Sequence, residues 1–175
     1  LSMLPPGQLA DTIALMRDAG IALTVLPATD LFMTGRDHDC GVPRGVAPAH
    51  RFHEAGLCCT VATNNVLNPF TPYGDCSLPR MANLFANVAQ LGSREALTGC
   101  FAMVTDDPFH LLGRDPVLRE GAPADLVALP CSSRADAVAE IGRPIWGVKN
   151  GALSFEAPQP RLLRPDMRCP TALAG

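Results

Sequence analysis

The stretch Glu54-Ala55-Gly56-Leu57-Cys58-Cys59-Thr60-Val61-Ala62-Thr63-Asn64-Asn65 decides how this chain is read. Leu57 to Ala62 carries no charge and is bounded by Gly56 and a polar pair, so it reads as a buried strand. Polar residues at the C-terminal end of such a strand sit where parallel α/β proteins place their chemistry. Here that place holds two amides, Asn64 and Asn65, where acid–base work would favour carboxylates.

Working outward, the same junction occurs once before. Asp18-Ala19-Gly20-Ile21 matches Glu54-Ala55-Gly56-Leu57. Pro5 and Pro6 suit a helix start; Leu9, Ile13 and Met16 keep helical spacing, and Gly20 stops it. Ile21 to Leu26 then reads as a strand closed by Pro27. Ala47 to Ala55 is the next helix. Helix, glycine and buried strand, twice, predict a parallel sheet with helical crossovers.

Downstream, Ser77 is an N-cap candidate, and Leu78, Met81, Ala82, Phe85 and Val88 form one apolar face up to Gly92. Ser93 caps a second helix with Leu97, Cys100, Phe101 and Val104 inward. Pro108 to Leu112 is a third helical piece ending at Gly113. From Gly121 the texture changes: Ala124 to Leu129 and Ile145 to Val148 read as strands, with a turn at Asn150-Gly151. The Pro- and Arg-rich tail reads as poorly ordered.

The bulk composition narrows the function classes. The chain has 175 residues, 47% hydrophobic and 18% charged, which describes a globular protein. A net charge of −3 and the lack of a Lys/Arg cluster argue against nucleic acid as a partner. No apolar run is long enough to span a bilayer, so no membrane partner is expected. Residue 1 is Leu, and the chain is expected to begin inside a longer protein. The 7 cysteines include no Cys-x-x-Cys pair, so they read as small buried hydrophobes, reduced, in a cytoplasmic protein.

Three stretches resemble the amidohydrolase superfamily, in its cytosine-deaminase-like branch, C-terminal portion only. Leu57 to Gly74, with Asn64-Asn65 followed by Pro69-Phe70-Thr71-Pro72-Tyr73-Gly74, is similar to that branch's last barrel strand and its loop. Val104-Thr105 with Leu111-Leu112-Gly113 resembles the final barrel helix. Gly121-Ala122-Pro123-Ala124-Asp125-Leu126-Val127 resembles the signature of the superfamily's small β-sandwich, with Trp146 to Leu153 as a closing strand.

The resemblance implies an α/β fold: the C-terminal half of a TIM-type (β/α)8 barrel followed by part of a small β-sandwich. The implied boundaries are 1–113 for the partial barrel, 114–156 for the partial sandwich and 157–175 for the tail. It also implies a hydrolase that cleaves non-peptide C–N bonds of a heterocyclic or amide small molecule with a water activated by zinc or iron. By the same alignment Asn64 takes the position of the metal-ligating Asp and Asn65 that of its substrate-contacting neighbour. Phe32 stands about where the sixth-strand loop carries a His, and Asp30 lies beside it as a further substrate-binding candidate.

The departures shape the expectation. No His-x-His pair occurs, and the fifth-strand His and Glu would fall before Leu1. Asn64 can lend a neutral oxygen to a cation but neither charge nor a proton acceptor. The expectation is therefore a fragment, inactive alone and holding no metal itself, with open strand edges that favour self-association. The alternative is a non-catalytic member of the same fold that binds a small polar ligand.

Other polar groups read as structural. Asp37-His38-Asp39-Cys40 is a solvated loop, His50 and His53 lie on a helix surface, and His110 is structural. Asp75 is a cap or first-turn acid, and Asp125 satisfies backbone donors.

Overall fold

The computed structural model describes residues 1–116 and 118–157. The chain is α/β and divides into two units, one formed by residues 1–122 and 129–143, the other by 123–128 and 144 onward. Apart from Ala157, the 157–175 tail lies outside the described residues, and so does Cys169.

The first unit opens with α1 (Pro6–Asp18), β1 (Leu23–Val25), α2 (Pro27–Met33), α3 (Ala49–Glu54) and β2 (Cys59–Val61). Both helix-to-strand junctions close by the same backbone device. After α1, Gly20 N–H donates to Arg17 C=O at 3.0 Å and Ile21 N–H to Met16 C=O at 2.9 Å. After α3, Gly56 N–H donates to His53 C=O at 2.9 Å and Leu57 N–H to Phe52 C=O at 3.1 Å. This paired capping needs a left-handed residue, and Gly20 (φ 64°) and Gly56 (φ 87°) supply it without a Cβ penalty. The repeated Ala-Gly of the sequence is therefore the C-terminal cap of each helix, turning the chain directly into a strand.

β1 and β2 pair in parallel, Leu23 with Cys59, Thr24 with Thr60 and Val25 with Val61. All three residues of β2 are buried, as expected of a strand covered on both faces. Val61 N–H donates to Met103 C=O at 2.9 Å, so one edge of β2 is met by the chain leaving a later helix.

That later part comprises α4 (Leu78–Ala89), α5 (Arg94–Ala102) and α6 (Asp106–Leu111). The serine caps form as read: Ser77 Oγ accepts from Arg80 N–H at 3.3 Å, and Ser93 Oγ from Ala96 N–H at 3.2 Å. The apolar face of α4 delivers Met81, Ala82, Phe85 and Ala86 to a core shared with Phe52, Cys59, Val61 and Cys100. Phe52 and Phe85 are fully buried, each worth roughly 1.5–3 kcal/mol of hydrophobic stabilisation.

Two helices were not anticipated: α2, in the stretch read as a loop after the first strand, and a short one late in the first unit. Arg134–Ala139 forms α7, capped by Ser133, whose Oγ accepts from Asp136 N–H at 3.1 Å. It packs with the first unit, where Asn83 Nδ2 donates to Val138 C=O at 2.9 Å. Its six residues are too few for a helical period to stand out from the surrounding loop.

The second unit is an antiparallel sheet in the order β3 (Leu126–Ala128), β4 (Trp146–Lys149), β5 (Ala152–Glu156). Asn150 (φ 50°) and Gly151 (φ 78°) make the tight turn between β4 and β5. Asp125 holds this turn, accepting from Asn150 N–H at 2.8 Å and pairing with Lys149. Its reading as an acceptor for backbone donors therefore has a specific partner. A side chain at Gly147 would collide with the Phe155 ring, and the register shifts beside it.

Candidate functional site

The polar end of β2 leads into a loop that folds on its own amides. Asn68 Oδ1 accepts from Phe70 N–H and Thr71 N–H, both at 2.8 Å, while its Nδ2 donates to Asn65 C=O at 2.9 Å. Asn68 and Thr71 also exchange backbone bonds at 3.1 and 3.2 Å, closing a tight turn around Pro69-Phe70. The short Asn side chain thus replaces backbone partners that no neighbouring strand provides.

Asn64 sits in the left-handed region at φ 58°, as do Leu67 (59°) and Cys76 (60°). Such conformations cost non-glycine residues about 1–2 kcal/mol, least for Asn, and gather where a site over-determines its backbone. Asn64 Nδ2 donates to Thr29 Oγ1 at 3.1 Å, and Thr29 Oγ1 lies 2.5 Å from Thr71 Oγ1. Thr71 is almost wholly buried. One turn along α2 from Thr29, Phe32 meets Tyr73 edge-on with ring centroids 6.2 Å apart, and the Arg36 guanidinium lies 5.3 Å over the Phe32 ring. Helix α2 and the loop are therefore joined at two successive points.

The structure places the four sequence-selected residues as follows. Asn64 and Phe32 both contribute to the α2–loop contact. Asn65 is exposed and contributes its carbonyl oxygen to the loop turn. Asp30 lies in the first turn of α2, half-buried, and burial pushes its carboxyl above the usual value, offset in part by the backbone at Leu26. Sequence reading missed Thr29, Thr71 and Tyr73. A threonine after a strand carries no signal of its own, because its hydroxyl pairs with whatever folding brings near.

A metal fits this set poorly. Asn64 offers one neutral oxygen, and among the described residues no group of three or more His, Cys, Asp or Glu could hold a metal ion.

A cluster of titratable groups lies at the other end of β2, beside Cys58. His53 Nε2 of α3 stands 3.1 Å from Asp107 Oδ2, an ion-pair distance short of good hydrogen-bond alignment. His110 Nδ1 is 3.9 Å from Asp107 Oδ1, and Cys58 Sγ donates to Asp107 C=O at 3.5 Å. Burial is the main force raising the Asp107 pKa, opposed first by the charge of His53 and then by that of His110. His53 is thus no plain surface residue: its ring reaches across to α6. His50, one turn earlier, has a buried Nδ1 that meets no partner among the described residues. Burial lowers its pKa, against Glu54, which raises it.

With this geometry in place, comparison with known proteins adds relatives. No family-wide sequence profile matches the chain. A pterin deaminase of Rhizobium rhizogenes is 34% identical over 122 residues, a match covering 67% of this chain and 27% of that protein. A 5-methylcytosine deaminase from Klebsiella pneumoniae, liganded with 5-fluorocytosine, superposes with a TM-score of 0.85 at 20% identity, over 94% of this chain and 40% of that one. An N-isopropylammelide isopropylaminohydrolase from Burkholderia multivorans gives 0.72 at 22%, over 89% and 37%. The chain thus spans about a quarter to two fifths of the proteins it matches. The resemblance read from its motifs holds: the chain is related to amidohydrolase-superfamily deaminases over part of their length.

Proposed function

We propose that this chain is the C-terminal portion of a cytosine-deaminase-like amidohydrolase, a protein that hydrolyses a non-peptide C–N bond of a small heterocycle or amide. Its first unit represents the later strands and helices of a (β/α)8 barrel, and its second unit part of the small β-sandwich. The observation that carries this reading is the placement of the Asn64-Asn65 loop at the C-terminal end of a buried parallel strand. Such barrels build their active sites there, and the relatives are deaminases and aminohydrolases by name.

In this reading the residues present form one wall of the site. Asn64 stands at the position of the family's catalytic metal-ligating Asp. Asn65, Asp30 and Phe32 contact the substrate, and the divalent metal of the superfamily, zinc or iron, takes its main ligands from elsewhere in the fold. The chain by itself is inactive, because among the described residues no donor set makes a metal centre and no proton acceptor stands at Asn64. The protein is cytoplasmic, and the isolated chain self-associates through its open strand edges. Among the described residues no helix is long and apolar enough to cross a membrane.

The neutral pair Asn64-Asn65 also favours a second reading, a member of the fold that binds a small polar ligand without turnover. One experiment separates the readings. Ammonia release from cytosine and from pterin is measured for this chain and for a longer chain carrying the upstream half, each with its bound metal quantified. Metal and turnover in the longer chain alone support the proposal. Binding without turnover or metal favours the second reading, and turnover by the short chain refutes its inactivity.

A further inference from the structure

We infer that Thr29 and Thr71 are positioning residues that fix the amide of Asn64, so that its carbonyl oxygen is the group it offers at the loop mouth. The inference rests on the proposed reading of this loop as a substrate-site wall and deepens it by naming the kind of ligand group the wall accepts.

The argument starts from burial. The Thr71 side chain is 1% exposed, and a buried hydroxyl is stable only when paired. Its partner is Thr29 Oγ1 at 2.5 Å. The Thr29 oxygen also accepts from Asn64 Nδ2 at 3.1 Å, and a hydroxyl has two lone pairs, enough for both roles. Thr71 therefore anchors Thr29, and Thr29 holds the amino side of Asn64.

Two further features keep the relay in register. The Asn64 backbone is held at φ 58°, which fixes where its side chain starts. The Phe32–Tyr73 contact, one turn from Thr29 and two residues from Thr71, ties the same two segments together again. With Nδ2 held, Oδ1 is left to face outward, and among the described residues no donor engages it.

A ligand group that meets Asn64 is then a donor: an exocyclic amine or a ring N–H. A carbonyl or carboxylate would face a lone pair. The chain thus replaces a charged position by a neutral acceptor with a fixed direction. That arrangement selects for a ring edge that gives protons and does not itself move one.

The test is NMR on the isotope-labelled chain, reading the Asn64 side-chain amide and the response to isocytosine, a planar ring with an amino group beside a ring nitrogen. The wild-type amide should exchange slowly with water. Thr29→Val and Thr71→Val should speed that exchange several-fold, and Thr29→Ser and Thr71→Ser should restore it, since serine keeps the hydroxyl. Isocytosine should shift the Asn64 signals, with affinity falling roughly 5-fold in the valine variants and recovering in the serine ones. Where Thr71→Val fails to fold, Thr29→Val at its less buried site carries the same test.

An Asn64 amide indifferent to both valine changes refutes the relay whatever the ligand does. A responsive amide with no isocytosine effect in the wild type leaves the relay standing and refutes the donor-ligand assignment, while the reading of the loop as a substrate wall is refuted if the longer chain binds substrate unchanged by Asn65→Ala. A wild-type response that the valine variants keep refutes only the claim that the relay directs binding.

Discussion

The two ends of β2 differ in a way that inverts expectation. The C-terminal end, where parallel α/β proteins commonly place chemistry, carries amides and hydroxyls: Asn64, Thr29, Thr71 and Asn68, linked by bonds of 2.5–3.1 Å. The opposite end, the foot of the strand, carries the titratable groups: His53, Asp107 and His110 beside Cys58. The mouth is largely exposed at Asn64 and Asn65 and held in order by hydrogen bonds within the loop and across to α2. The foot is partly buried and joins α3 to α6 through the close approach of His53 and Asp107. The contrast sets position on the fold against residue type as a guide to a site, since a cluster of ionisable residues can mark stability as readily as activity.

This comparison can be broken by experiment. The largest effect should come from the core beneath both ends: Phe85→Ala, at a fully buried ring, should cost about 3–5 kcal/mol in urea unfolding. Loss of signal dispersion at only one end would show that the two ends fold separately. Next, Asp107→Ala should cost about 2 kcal/mol, below the usual figure for a broken buried pair because the side chain keeps 12% exposure. Asn64→Ala should cost about 1–1.5 kcal/mol, for one exposed hydrogen bond and a left-handed backbone that alanine tolerates less well than asparagine. The reverse order would overturn the assignment of stability to the foot.

The helix α3 beside the foot should also respond to pH. The folded pKa of His50 is lowered from 6.5, chiefly by burial, so the unfolded chain binds the proton more readily. Its contribution is present above pH 6.5 and is lost as pH falls through the lowered value. Stability compared at pH 7.5 and below 6 should drop more for the wild type than for His50→Gln. Equal slopes would remove His50 as the cause. The smallest effect belongs to the mouth: Leu67→Gly should raise stability by about 0.5 kcal/mol, since Leu67 is exposed and its φ of 59° suits glycine. A loss there would mean that the leucine side chain is engaged.

Much of the fold was legible because its signals are local. The Gly20 and Gly56 caps act through backbone bonds within one helical turn, and so do the Ser77 and Ser93 caps. The Asn150-Gly151 turn is equally short-range. Helices α2 and α7 were hidden by their shortness. His53 read as helix surface because Asp107, its partner, lies far along the chain. The candidate site was legible only in outline: Asn64 by its place after a strand, Phe32 and Asp30 by resemblance.

By itself the sequence determined the alternation of helix, glycine and buried strand, the caps, and the strand end where polar groups gather. Each depends on neighbours a few residues apart, whose geometry the covalent chain fixes. Only the tertiary structure decided what those polar groups do. Asn64 finds Thr29 across 35 residues and Thr29 finds Thr71 across 42. An amide or hydroxyl can give or accept with almost any partner, so its role is settled by which distant segment the packing brings within hydrogen-bonding distance, and not by its identity.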